Sequence, residues 1–330
     1  MRRARPVIAV VMLAAVLLPG AAAPVLAQDQ GSSDQARTIA YWTPQRMAHA
    51  IPRDFTLTPG GQFMPAQGKP GGGGGGNNVT GASWTGGGQI VTTSGKVFFT
   101  MAGVDYICSG AVINDDRNDH SIVLTAGHCS YDETNGAFAT NWMFYPAFDT
   151  NATYDCTAAL YGCWTASALV VDSGFATAGG FNTQATVHDW SFAIVGAGGN
   201  SGLQLDSVAG SFGYSFNAPA LNTQIFDFGY PAAGKYHGYD LIYCSDQVFF
   251  DANNGNNTLG IDCNMTGGSS GGPWLTNFNP TTGVGILSSV NSYGYTSIKN
   301  KEYGPKFDGN TSKTYTAATN ATTQNVIVPN

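Results

Sequence analysis

A succession of short apolar runs, each bounded by turn residues, constrains this chain more than any other feature. They begin at KVFFTM (96–101), YICSGAVI (106–113), SIVLTAGHC (121–129) and NWMFYPAF (141–148). They continue through ASALVV (166–171), WSFAIV (190–195), QIFDFGY (224–230), LIYCSDQVFF (241–250) and GVGILSSV (283–290). Val, Ile, Phe and Tyr dominate these runs, and no long 3.6-residue stripe competes with them. About ten or more strands over about 230 residues fit an all-β sandwich or a pair of barrels. No solenoid period is visible.

The amino-terminal quarter reads differently. Arg2, Arg3 and Arg5 precede the apolar run Val7 to Leu18, a Pro-Gly break and Val25-Leu26-Ala27. Residues 1–27 are therefore expected to be a signal peptide, cut after Ala27. No later apolar run approaches the roughly 20 residues needed to span a bilayer, so a secreted, soluble product with no membrane contact after signal removal is expected. Residues 28–76 are polar and end in Lys69-Pro70 and six glycines, Gly71 to Gly76. Such a stretch reads as a disordered propeptide or linker. Within it, YWTPQRM (41–47) reads equally as part of a short propeptide and as a leader remnant.

Export makes disulfides possible. The six cysteines are Cys108, Cys129, Cys156, Cys163, Cys244 and Cys263, none in a CxxC pair, so three bridges are a better reading than zinc. About 15 connectivities are open in principle. Nearest-neighbour pairing (Cys108–Cys129, Cys156–Cys163, Cys244–Cys263) is expected because each consecutive pair falls in one predicted hairpin or loop region. Beyond residue 76 the chain carries 7 Lys+Arg against 18 Asp+Glu. Nucleic acid is a poor partner for so acidic a surface. Charged residues make up only 11% of the chain, against about 25% in average proteins, which suits an extracellular β protein.

The stretch TGGSSGGPW (266–274) carries the chemistry. A phosphate cradle would need GK[ST] leading into a helix, and no lysine lies in Gly267 to Trp274. A hydrolase elbow, G-x-S-x-G with Ser270 as nucleophile, would need its histidine after the serine. All five histidines, His49, His120, His128, His188 and His237, precede it. The order His, Asp, Ser remains. LTAGHC (124–129) puts His128 at the end of a β run beside a cysteine, and HDWSFAIV (188–195) puts Asp189 at the mouth of an apolar strand. Asp172 and Asp206 are rival acids. Gly268 is positioned so that its N–H and that of Ser270 can point at one oxyanion. The acidic group Asp115, Asp116 and Asp119 lacks the EF-hand pattern and reads as a polar turn rather than a calcium site.

These residues resemble the chymotrypsin-like (trypsin-fold) serine peptidases, in particular their secreted bacterial branch related to glutamyl endopeptidases. The resemblance covers about Ser83 to Pro305 and rests on CSGAVI (108–113), LTAGHC, the Asp189 strand, GGSSGGP and GILSS (285–289); YWTPQRM also looks like leaders of that branch. It implies two packed six-stranded antiparallel β-barrels, 77–200 and 201–330 with a C-terminal tail, and an active site between them. His128 would be general base then acid, Asp189 would fix its tautomer, and Ser270 would form the acyl-enzyme. Cys108–Cys129 would match the family's bridge beside the histidine. Ser269 stands where many relatives carry an aspartate that pairs with a freshly cut amino terminus. Activation by that ion pair is not expected here; removal of an inhibitory leader is the alternative, which would make the chain a zymogen.

The reading is therefore an exported serine endopeptidase, monomeric, acting on protein or peptide substrates without a cofactor or metal. The alternative is a non-catalytic secreted homologue that binds a surface partner or polysaccharide. For the primary pocket the resemblance places Asn264 at the floor, with Ser288 and Val290 on the wall and Val290 narrowing the mouth. An uncharged P1 side chain of small to medium size is the expectation, because a cation needs a facing carboxylate.

Overall fold

The first barrel grows from a tight hairpin. Strands Ser94–Met101 and Val104–Ile113 pair antiparallel with Met101 opposite Val104, leaving Ala102 (φ 49°) and Gly103 (φ 80°) as a two-residue turn. Two left-handed residues give the primed turn whose twist matches that of the strands. Ser121–Thr125, Thr140–Pro146, Trp164–Asp172 and Ser191–Val195 complete the circuit, and pairing of Val104–Ile113 with Ser121–Thr125 closes it into a six-stranded antiparallel barrel. Alternation along the strands divides the packing. Val97, Phe99 and Met101 join one apolar cluster, while Phe98 joins another with Ile107, Met143 and Trp190, as the two-residue period of a strand requires.

The computed structural model describes residue 1 and residues 25–58, 63–65 and 78–330. Most of the expected signal peptide and the glycine run 71–76 lie outside the described residues.

The second barrel is two packed sheets. One contains Gln224–Gly229, Ile242–Gln247, Pro273–Asn279 and Val284–Val290; the other contains Thr258–Asp262, Tyr293–Tyr295 and Lys301–Pro305. Ile225, Leu259, Ile261, Met265 and Trp274 fill the space between them around Cys244 and Cys263. All three disulfides join neighbours in sequence: Cys108–Cys129, Cys156–Cys163 and Cys244–Cys263.

The domain boundaries read from sequence need correction at both ends. Val79–Ser83, counted with the first barrel, pairs with Ile242–Gln247 of the second. Residues expected to form a C-terminal tail of the second barrel pack on the first. Asp308 and Thr311 form a reciprocal capping box that starts helix Gly309–Asn320, satisfying orphan N–H groups at its first turn. Tyr315 and Ala318 then enter the apolar cluster that contains Phe192 and Ile194. Val326–Val328 pairs parallel with Val170–Asp172.

The leader is also ordered where disorder was expected. Helices Val25–Tyr41 and Pro44–His49 are followed by strand Ile51–Pro52, which pairs parallel with Val104–Ile113, and by the hairpin strands Phe55–Leu57 and Phe63–Pro65. Thr43 caps the second helix with Pro44 in its first turn, where proline loses no intrahelical hydrogen bond. Trp42 and Met47 are buried at 3% and 2% exposure in the barrel's core cluster, each contributing on the order of 2 kcal/mol. Trp42 Nε1 donates to Asn141 O at 2.6 Å. The leader has too few apolar residues for a core of its own and orders itself on a surface the barrel supplies.

Candidate active site

The run LTAGHC ends strand Ser121–Thr125 and turns through the short 3₁₀ helix Gly127–Cys129, which places His128 at the barrel rim with no exposed surface. Its backbone N–H donates to Asp189 Oδ1 at 2.9 Å, and its Nδ1 lies 2.8 Å from Asp189 Oδ2. Asp189 sits between helix Thr183–Val187 and strand Ser191–Val195, also fully buried. Ser292 Oγ donates to Asp189 Oδ2 at 2.5 Å. Three donors around one buried carboxylate offset the cost of removing its charge from water. The Cys108–Cys129 bridge ties the residue after His128 to the neighbouring strand.

The glycines around Ser270 answer to close approach. Gly268 has φ +102°, and a Cβ there would stand 2.8 Å from Tyr230 O. Gly271 has φ +80°, and its Cβ would stand 2.1 Å from Thr125 Oγ1 and 2.4 Å from Ser109 O. The serine turn is thus pressed against the first barrel, where Ser109 N donates to Ser270 O at 2.7 Å. Ser269 points elsewhere, its Oγ donating to Thr266 O at 2.9 Å.

The Ser270 hydroxyl donates to the carboxylate of Asp54 in the leader. His128 Nε2 is buried without a hydrogen-bond partner among the described residues. The stacked rings of Phe55 and Phe181 each stand edge-on to the imidazole at 5.4 Å. An imidazole held through Nδ1 by a carboxylate has Nε2 left to accept a proton, and two glycine-freed N–H groups beside a serine can receive a developing negative charge.

The rival acids lie elsewhere. Asp172 caps helix Ser173–Ala176 and pairs with His188 at 3.0 Å, while Asp206 accepts from Ser121 Oγ at 3.0 Å. Asp115 Oδ1 accepts from Arg117 N, and Arg117 forks onto Asp119, the local bonding of a polar turn.

The pocket residues need a register correction. Val290 is fully buried in the core cluster, paired with Pro273, and Ser288 Oγ donates to Trp274 O. Neither reaches the cleft edge. That edge is Tyr293–Tyr295, with Gly294 at its centre, and it receives the leader strand Phe55–Leu57. Counting from GILSS missed this by four positions, because only the Ser292–Asp189 contact fixes which residue follows the strand into the site. Asn264 is 4% exposed; its N–H donates to Thr80 O, and its side-chain oxygen accepts from Tyr236 OH at 2.6 Å. Asp262 is engaged by Lys301. Glu302 is 4% exposed, in the strand that pairs with Tyr293–Tyr295. Neither Ser292 nor Glu302 was found from sequence. Ser292 carries no motif of its own, and Glu302 looks like any charged strand residue.

Two groups of potential metal ligands occur among the described residues, Cys108/His128/Cys129 and Asp227/Cys244/Cys263. Each contains a disulfide pair, whose sulfurs are not thiolates. No helix among the described residues is long and apolar enough to cross a membrane.

A histidine bonded to a buried aspartate, beside a glycine-flanked serine at the junction of two β-barrels, has the architecture of a serine peptidase. A family profile for the lysyl endopeptidase C-terminal domain matches residues 81–173. No curated protein matches by sequence. Among solved structures, the protease Anisep from Arthrobacter nicotinovorans has 38% identity and a TM-score of 0.61, covering 73% of this chain and 100% of that one. The thermostable serine protease AL20, from an extremophilic microorganism, has 33% identity and a TM-score of 0.60, covering 71% and 100%. A Glu endopeptidase at 17% identity and TM-score 0.54, covering 74% and 99%, shares the fold. The chain belongs to the bacterial chymotrypsin-like serine peptidases.

Proposed function

We propose that the protein is an exported serine endopeptidase that hydrolyses peptide bonds through an acyl-enzyme on Ser270. The observation that carries this reading is the doubly bonded His128–Asp189 pair beside a serine in a glycine turn. In the active form Ser270 Oγ gives its proton to His128 Nε2 as it attacks the substrate carbonyl. The N–H groups of Gly268 and Ser270 receive the oxyanion, and His128 returns the proton to the leaving amine. Water then repeats the sequence on the acyl-enzyme, releasing the acid and regenerating Ser270. Asp189 holds the tautomer and faces the imidazolium that forms. The three disulfides fit an oxidising compartment outside the cytoplasm, and the protein is read as acting alone on protein or peptide substrates.

For the primary pocket a basic P1 side chain replaces the uncharged one expected from sequence. That expectation rested on Val290, which is buried in the core, and on an Asn264 amide that Tyr236 already holds. Glu302 supplies a buried carboxylate on the strand that pairs with the cleft edge, opposite in sign to a lysine or arginine side chain.

The test is fluorophosphonate labelling of the processed, secreted form, followed by a peptide set differing only at P1. Ser270 should be the labelled residue, and Lys or Arg peptides should be cut faster than Ala or Leu peptides, with the difference lost in Glu302→Gln. Failure of Ser270 to label would favour the non-catalytic binding protein.

A further inference from the structure

The cleft is occupied by the chain's own residues 51–57, and their chemistry is unlike that of a substrate. What meets the Ser270 hydroxyl is the side-chain carboxylate of Asp54, 7% exposed. The neighbouring Arg53 guanidinium donates to His128 O and to Glu133 at 3.2 Å, and it lies 5.1 Å above the Phe55 ring. Phe55 stacks on Phe181 at 4.1 Å with the rings 8° from parallel. The backbone of Phe55–Leu57 runs parallel to Tyr293–Tyr295, with Phe55 opposite Tyr293.

We infer that residues 51–57 are an active-site-directed inhibitor carried in the chain, in which Asp54 holds the Ser270 hydroxyl away from His128 Nε2. This rests on the reading of Ser270 as the nucleophile. A carboxylate carbon is a poor electrophile, since its negative charge is shared over two oxygens and it has no amine to expel. Contact with Ser270 therefore leads to no acyl-enzyme, and the segment resists cleavage at this point.

The inhibitor is anchored independently of the covalent chain. Trp42 and Met47 are buried in the barrel core, Ile51–Pro52 pairs with Tyr106 and Ile107, and Arg53 reaches Glu133, itself 4% exposed. A cut downstream of the leader would leave these contacts in place. The leader then stays bound as a separate piece, and activity awaits its own destruction or dissociation.

The test compares the phosphonylation rate of intact full-length chains, read on a denaturing gel that separates them from the processed form. Asp54→Ala and Asp54→Asn should label about tenfold or more faster than wild type, the effect of losing one charge-assisted hydrogen bond. A synthetic peptide of residues 51–57 should inhibit the processed enzyme competitively and survive uncut by mass spectrometry, and its Asp54→Ala version should inhibit about tenfold less. Equal labelling of intact wild type, Asp54 variants and processed enzyme would overturn the inference, as would rapid cleavage of the peptide within residues 51–57. A processed form that does not label at Ser270 would instead overturn the nucleophile assignment, and the inference with it.

Discussion

Ser292 Oγ and Asp189 Oδ2 are 2.5 Å apart, a hydrogen bond that reaches from the second barrel to the acid held by the first. The oxygen that receives it is the one facing His128 Nδ1, so the imidazole is oriented from both barrels at once. Ser292→Ala should lower kcat by about tenfold with KM little changed, the pattern of a positioning residue whose loss is felt in the transition state. Steady-state kinetics on active enzyme separates the two parameters. An effect confined to KM would mean that Ser292 serves substrate binding instead.

Asp189→Asn should cost about 10⁴-fold in turnover if it sets the imidazole tautomer. Asp172→Asn should leave catalysis nearly intact, because Asp172 caps a helix away from His128. Comparing the two variants, each checked for folding by circular dichroism, decides which aspartate is the catalytic acid.

Ser270→Ala should abolish peptidase activity, by roughly 10⁵-fold or more. Ser269→Ala removes only a bond to Thr266 O, so a substantial fraction of activity should remain. Equal losses in two folded variants would refute the assignment.

Much of this site was legible because its parts are local. LTAGHC, HDWSFAIV and GGSSGGP each place a side chain of the candidate site at a strand end or in a glycine turn, where neighbours in sequence are neighbours in space. The strands and the three short-range disulfides were readable for the same reason. The leader was not, because Trp42 and Met47 show no period and acquire meaning only against the barrel core. Helix Gly309–Asn320 was equally hidden. Its GNTSKTYTAATN is rich in Thr and Asn, poor helix formers, and it is held by its cap and by tertiary packing. Val290 misled because a run such as GILSSV fixes a strand but not where that strand meets the cleft.

Lys96 gives a pH signature to stability. It is fully buried, donates to Gly238 O at 3.0 Å, and lies 4.6 Å from the centre of the Phe148 ring. Burial pulls its ammonium from an ordinary value near 10.5 down to about 7. Between pH 7 and about 10 the unfolded chain therefore holds a proton that the folded chain has released, so stability should rise with pH across that window. Below pH 7 both states are protonated and the dependence should fade. Lys96→Met should flatten the profile, as measured by Tm against pH for both chains. A wild-type Tm that falls relative to the variant from pH 7 to 9 would contradict this.

Replacing Cys108 and Cys129 together by alanine opens a 21-residue span and should destabilise the fold by about 3 kcal/mol. Because Cys129 follows His128 directly, kcat should drop as well. Urea melts and kinetics at a temperature where the variant stays folded test the two effects separately.

Two strands are exchanged between the barrels: Val79–Ser83, which precedes the first, is a strand of the second, and Val326–Val328, which follows the second, is a strand beside the first. Each barrel is thereby bordered by a strand encoded at the far side of the other. A cut or circular permutation at residue 200 would separate each barrel from a strand that borders it, and the two barrels should therefore melt in one transition.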